Sequence, residues 1–288
     1  MLFGGLLSSL IPKHAAALLA ASIALVAGTA RADQLPLWEL GAGAAVVNFP
    51  DYRGSDERHT YPLPIPYVIY RGETLRIDRQ KVRGLIFETR IAELDVSASG
   101  SVPVDSDRNR ARRGMPDLDP TLELGPSLNI FLYRNPTGRS TLELRLPLRA
   151  IVASDFRHAS YQGLLFNPHL NIDLKGIFPA PGWNLGLQVG PVFATRQYHD
   201  YFYGVAPQFA LPERPAFEAK GGYSGTQSTI ALSKRFENYW FGAFVKADSL
   251  HGAAFEDSPL VKKKYAISGG VAAVYVFARS ARLVEARD

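Results

Sequence analysis

His158 and Ser160 stand two residues apart, a spacing that can put a base and a hydroxyl on one face of a strand. Acyl transfer also needs a third group to orient the histidine, and nothing beside this pair supplies it. We therefore expect no hydrolase and no enzyme. The chain carries no G-x-S-x-G elbow, no H-E-x-x-H, no phosphate-binding glycine loop and no EF-hand loop. His59, His158, His169, His199 and His251 are scattered singly and cysteine is absent, so neither a metal site nor a cofactor is expected. What remains is charge. Glu123, Glu143, Arg145, Arg149, His169, Asp173, Lys175, Lys246 and Asp248 recur at alternate positions of apolar stretches. Arg108, Arg110, Arg112 and Arg113 form one basic cluster, and Lys262, Lys263 and Lys264 a second.

The elements that hold these charges alternate with a period of two. In Thr121–Val152, Leu122, Leu124, Pro126, Leu128, Ile130 and Leu132 share one face, and after Asn135–Arg139 so do Leu142, Leu144, Leu146, Leu148 and Ala150. The opposite face carries Glu123, Glu143, Arg145 and Arg149. A soluble sandwich also alternates. Arms of about a dozen residues with charge at mid-strand fit lipid outside and a wet lumen inside.

The same reading gives about twelve strands: Trp38–Val47, His59–Tyr70, Thr74–Asp78, Val82–Thr89, Ile91–Val102, the two arms above, Tyr161–Lys175, Trp183–Tyr198, Tyr223–Arg235, Tyr239–Leu250 and Tyr265–Phe277. His59–Tyr70 is the weakest, because Pro62, Pro64 and Pro66 cannot donate to a ladder. Connections sort by parity. Those after odd strands include the long ones, Pro103–Asp119, His199–Gly222 and Gly252–Lys264; those after even strands are all short. An antiparallel transmembrane β-barrel with short periplasmic turns, longer extracellular loops and both termini on the periplasmic side has this pattern. Aromatic residues near strand ends, such as Trp38, Tyr133, Trp183 and Tyr239, suit girdles at the lipid boundaries.

Lys13, the apolar core Ala15–Val26 and the small residues Ala30 and Ala32 read as a secretory leader over 1–32. The barrel then spans 33–277 and a short charged tail, expected to lack fixed structure, spans 278–288. Of 288 residues, outside the leader none lie in an apolar run long enough for a membrane helix. The formal charge of +5 falls to about +3 without Lys13 and Arg31, which removes the argument for nucleic acid. The expected location is the outer membrane of a Gram-negative bacterium. The lumen charges either pair off and fill the interior or line a narrow polar pore; we expect a filled lumen. The basic clusters lie in outer loops, where they either bind lipopolysaccharide phosphates or are solvated beside neighbouring aspartates.

Several longer stretches carry a resemblance. Leu37-Trp38-Glu39-Leu40-Gly41, Pro50-Asp51-Tyr52-Arg53-Gly54-Ser55-Asp56, Leu63-Pro64-Ile65-Pro66-Tyr67, Tyr70-Arg71-Gly72-Glu73, Pro103–Asp107, Arg113–Pro120 and Leu122–Pro126 are similar to the MltA-interacting protein (MipA/OmpV) family, over essentially the whole mature chain. The resemblance implies an outer-membrane barrel. It also implies that the proline-rich segment is a strand. For function it implies a scaffold joining a lytic transglycosylase to a murein synthase, or alternatively a small channel for uptake of small polar solutes. It carries over no catalytic residue. The periplasmic side offers a murein enzyme only short turns and the chain termini.

Overall fold

Alternating segments pair with their neighbours in the chain, and the pairing closes a cylinder. The computed structural model describes residues 34–72, 75–77, 82–84, 87–89, 91–155, 157–178 and 181–285; the expected leader, 1–32, lies outside them. In chain order the strands are β1 (Gln34–Pro36), β2 (Trp38–Pro50), β3 (Arg58–Arg71), β4 (Leu75–Ile77), β5 (Val82–Gly84), β6 (Phe87–Glu88), β7 (Ala92–Ser101), β8 (Thr121–Arg134), β9 (Ser140–Ser154), β10 (Ala159–Phe166), β11 (His169–Lys175), β12 (Trp183–Ala194), β13 (Gly222–Arg235), β14 (Tyr239–Ser249), β15 (Tyr265–Arg279) and β16 (Leu283–Glu285). A helix, α1 (Arg196–Tyr203), lies between β12 and β13.

The large sheet has fourteen strands in the order β5-β4-β3-β2-β15-β14-β13-β12-β10-β9-β8-β7-β6, with β11 between β9 and β12. Counting β5 with β6 and β10 with β11 as one stave each, these strands form twelve staves. β5 pairs with β4 while β6 pairs with β7, and the sheet returns on itself. The architecture is the antiparallel barrel that the alternation predicts. The long connections all lie at one end, and the other end carries only short ones. No helix among the described residues is long and apolar enough to cross a membrane; strands do the crossing, since a closed sheet satisfies its own backbone. The outward face exposes Leu122, Leu124, Leu128, Leu148, Val245 and Ile267, with Tyr133, Tyr239 and Tyr275 near the short-turn end.

Three segments depart from simple alternation. The expected strand Tyr161–Lys175 breaks at Asn167-Pro168. Pro168 has no N–H to donate, and the Asn167 side-chain amide donates to the Pro191 carbonyl at 2.8 Å. Gly163, at φ +99, sits in a bulge between Tyr161 and Leu164 that already shifts the register. The expected strand Trp183–Tyr198 ends at Ala194, and Arg196 begins α1. An Arg196–Asp200 ion pair at 3.1 Å, one helical turn apart, supports the turn, while Tyr198, His199, Phe202 and Tyr203 supply its buried face. The tail, expected to be without structure, instead continues β15 to Arg279 and then pairs β16 with β1, Gln34↔Glu285 to Pro36↔Leu283; residues 286–288 lie outside the description.

The apolar core of a barrel faces lipid, so a buried core needs another location. Here the larger one is at the outer mouth, and a smaller one, Tyr67, Ile69, Val274 and Val276, lies inside the barrel toward the periplasmic end. Tyr52, Val104, Leu118, Tyr198, Tyr203, Val205, Phe255 and Leu260 from four outer connections pack with Ile151, Leu165 and Val192 from the wall. Tyr203 and Phe255 stack with centroids 3.6 Å apart. The Arg214 guanidinium donates to the carbonyls of Phe209, Ala111 and Arg113. The connections fold inward as a cap because their apolar side chains can leave water only against the wall and one another.

Candidate functional site

Beneath the cap the inward positions form layers of charge. Glu123 on β8 accepts from Arg149 on β9 at 2.8 Å. Asp248 on β14 accepts from Arg53 at 2.8 Å and lies 3.8 Å from Lys246. Lower down, Arg145 donates to Glu143 at 2.6 Å and lies 3.5 Å from Asp173. Asp173 also accepts from Asn171 at 2.6 Å. His169 directs Nδ1 to the Asn167 carbonyl at 2.8 Å, and Lys175 lines the lower lumen. The candidate lumen residues thus share one interior, and most of the charges are arranged as pairs. Such pairing follows from removing charges from bulk water, which requires compensation close by.

Three groups of this interior escape sequence reasoning. Arg53 belongs to a polar outer connection, yet its guanidinium reaches into the barrel and also donates to Ser224 at 3.1 Å. Burial pushes its pKa down, but Asp248 beside it more than offsets this and holds it above the ordinary arginine value. Glu39 on β2 accepts from Arg71 and Arg235 at the periplasmic mouth. Charge at an inward position of a strand could have signalled Glu39; nothing local signals Arg53. The third is Arg134. Strict alternation from Glu123 puts Arg134 outward, but a register shift between Phe131 and Tyr133 turns Tyr133 to lipid and pairs Arg134 with inward-facing Thr141. Arg134 packs on the Phe131 ring with 3.8 Å between its guanidinium carbon and the centroid.

Below the paired charges the lumen contains a cavity of about 850 Å³. Glu143, Arg145, Asp173 and Lys175 form a polar wall, and Ala45, Val47, Leu63, Ile65 and Phe244 an apolar one. The cavity reaches Arg134 and Gly138 at the periplasmic end. The interior is filled above and hollow below.

The basic clusters fare unequally. Arg108 pairs with Asp105 at 3.1 Å, Arg110 with Glu57 at 2.6 Å and Asp56 at 3.1 Å, and Lys264 with Glu256 at 3.6 Å. Arg112 is only 3% exposed; it donates to Ser106 Oγ and to the Phe202 and Pro116 carbonyls, which makes it a strut of the cap and corrects its placement on the surface. Burial pushes its pKa down. Arg113, Lys262 and Lys263 are exposed and form no ion pair among the described residues. In α1, His199 is buried with Nδ1 2.5 Å from the Lys220 carbonyl, and burial pushes its pKa down. At the outer rim His158 faces Asp155 at 3.6 Å, while Ser160 accepts from Gln162 at 2.8 Å. Among the described residues no hydrogen bond joins His158 to Ser160. No group of acidic or histidine side chains among the described residues could hold a metal.

A family model described as MltA-interacting protein MipA matches residues 40–277. Among curated proteins, none matches the chain significantly. Similar solved structures include an outer membrane channel from Pseudomonas putida F1, at 12% identity and TM-score 0.46, covering 88% of this chain and 100% of that one. The NanC porin has 8% identity and TM-score 0.38, with 83% of this chain and 100% of that chain covered. OprG from Pseudomonas aeruginosa has 8% identity and TM-score 0.22, with 86% and 99% covered.

Proposed function

The chain belongs to the MltA-interacting protein MipA family, and on that footing we propose that this outer-membrane barrel is an anchor that holds a murein-cleaving lytic transglycosylase, and with it a murein synthase, at the inner face of the membrane. The observation that carries the reading is the ribbon of β1 and β16. It is fastened to the barrel rim by Leu37 N–H to Arg282 O at 2.8 Å, Ser280 N–H to Trp38 O at 2.9 Å, and Arg71 to Pro36 O at 2.6 Å. A two-stranded ribbon has two free edges, each able to accept a further strand. It gives the periplasmic side an ordered surface beyond its short turns, with Leu283 exposed on it. The proposal assigns no catalytic step to the chain. The test is affinity capture from detergent extracts of the cell envelope. Wild type should retain the transglycosylase, deletion of 280–288 should release it, and undiminished capture would reject the ribbon as the docking surface.

The cavity favours a second reading, a small channel or uptake protein. Planar-bilayer recordings separate the two. The capped wild type should pass no steady current; a steady current altered by Arg145→Glu would support the channel. For the outer rim, we propose Arg113, Lys262 and Lys263 as contacts for lipopolysaccharide phosphates. Replacing all three by glutamine should weaken binding to lipopolysaccharide at low salt.

A further inference from the structure

Half of the periplasmic rim, from β8 round to β15 in sheet order, is stitched into one arc. The Arg139 carbonyl accepts the Lys175 N–H at 2.7 Å, across neighbouring turns. Lys175 leads into the turn before β12, whose Pro181 carbonyl accepts from Lys234 Nζ at 3.1 Å. Lys234 stands before the turn to β14, where Asn238 binds β15 twice. Its carbonyl accepts the Val276 N–H at 2.8 Å, and its side-chain oxygen accepts from Arg279. Arg282 follows where β15 passes into the ribbon, its carbonyl held by the Leu37 N–H at 2.8 Å. These bonds fix the spacing of the side chains that the arc carries.

The exposed charges of this arc have largely one sign. Arg139, Arg279 and Arg282 are exposed, and none lies in an ion pair among the described residues. Glu39 is buried between Arg71 and Arg235, which leaves Glu237 as the exposed carboxylate of the arc among the described residues. The outer end differs. There the exposed Arg108, Arg110 and Arg196 each face an acid at 3.1 Å or less.

The arc also reaches beyond the lipid boundary. Tyr133 and Tyr275 are exposed near that boundary and lie opposite Leu142 and Ala42. Arg139 is three residues past Leu142, about 10 Å along the strand, and Arg282 is level with Leu37, five residues past Ala42, roughly 16 Å. Both side chains therefore stand on the periplasmic side of the aromatic belt, where the cell wall lies.

An exposed arginine holds a single carboxylate weakly. Several arginines at fixed spacing hold a ligand that presents many anions, because each contact after the first is intramolecular. A small anion gains nothing from such an arc, whereas a polymer does. We propose that Arg139, Arg279 and Arg282 bind the murein layer itself, through the free carboxylates of its stem peptides, and so set the barrel against the wall. The inference stands on the charge of the rim and not on the docking of a murein enzyme, and its test contains no enzyme.

The test is co-sedimentation of the purified full chain, in neutral detergent, with protein-free murein sacculi. Saturable retention is expected at low salt and release at high salt. Retention should weaken about tenfold in the triple variant Arg139→Gln, Arg279→Gln, Arg282→Gln, and return when the same three positions carry lysine. Replacing Arg113, Lys262 and Lys263 by glutamine should change nothing, and sacculi with amidated carboxylates should retain little. Equal retention of wild type and the triple glutamine variant would overturn the proposal, as would full retention on amidated sacculi. Phosphatidylglycerol added to the micelles should leave retention intact; release by it would assign the arc to lipid headgroups and overturn the proposal. Heat-modifiable migration on gels checks that each variant is folded.

Discussion

Replacing Arg53 by alanine should undock the cap. The Arg53 guanidinium donates to Asp248 at 2.8 Å and to Ser224 at 3.1 Å, with the Arg53 and Asp248 side chains 16% and 7% exposed. Its loss leaves Asp248 with Lys246 at 3.8 Å. Breaking a buried pair costs about 3–5 kcal/mol because the remaining charge stays buried. Residual compensation by Lys246 and the partial exposure of Arg53 place this case near the lower end, at about 3 kcal/mol. At roughly 1.4 kcal/mol per factor of ten, the undocked cap becomes on the order of 100 times more populated. Hydrogen exchange reads this directly, at the Val205 and Phe217 amides, which bond each other's carbonyls. Their protection should fall in Arg53→Ala while the β13–β14 ladder stays protected. A double-mutant cycle with Asp248→Asn should show strong coupling. Unchanged protection of Val205 and Phe217 would refute the claim that this pair holds the cap.

Further expectations follow from the same geometry. Pro64 and Pro66 lie opposite Ala44 and Ala42 in pairs that cannot be hydrogen-bonded, so their nitrogens point to the edge of β3 that no strand covers among the described residues; Pro64→Ala with Pro66→Ala returns two N–H groups there, each costing about 1–3 kcal/mol if unpaired, so the urea midpoint should fall or dimers should appear on native gels, and an unchanged monomer removes this account of the prolines. Glu39→Gln leaves Arg71 and Arg235 without their shared carboxylate, and barrel stability should drop by about 3 kcal/mol in urea unfolding. His199 has its pKa lowered in the docked cap, chiefly by burial. Above its free value of about 6.5 it is neutral in both states; as pH falls below that value the undocked cap takes up a proton that the docked cap resists, so cap stability declines. Cap protection factors, corrected for the intrinsic exchange rate at each pH, should fall between about pH 7.5 and 5, and His199→Phe should flatten that dependence.

Alternation made most of the barrel legible because the rule is local: each residue faces lipid or lumen according to its neighbours two places away. Loop parity then oriented it. What stayed hidden depends on contacts distant in sequence. Arg53 reads as a loop residue until Asp248, on β14, is placed beside it. The proline-rich segment reads as a doubtful strand until its pairing with β2 along its whole length is seen. Arg134 reads as lipid-facing until the bulge between Phe131 and Tyr133 reverses it. The ribbon of β1 and β16 joins opposite ends of the described chain, and neither strand signals the other. The cap hid α1 because a helix of eight residues depends on packing rather than propensity.

The central claim is that partners meet this barrel from the periplasm, at the ribbon, while the outer mouth stays shut. Site-specific photo-crosslinking in living cells tests it most directly, with the reactive side chain placed at Leu283 on β16 and, for comparison, at Lys262 on the outer rim. The account predicts an adduct with a murein-cleaving enzyme from position 283 and none from position 262. The absence of any such adduct at 283, or its appearance at 262, would contradict it.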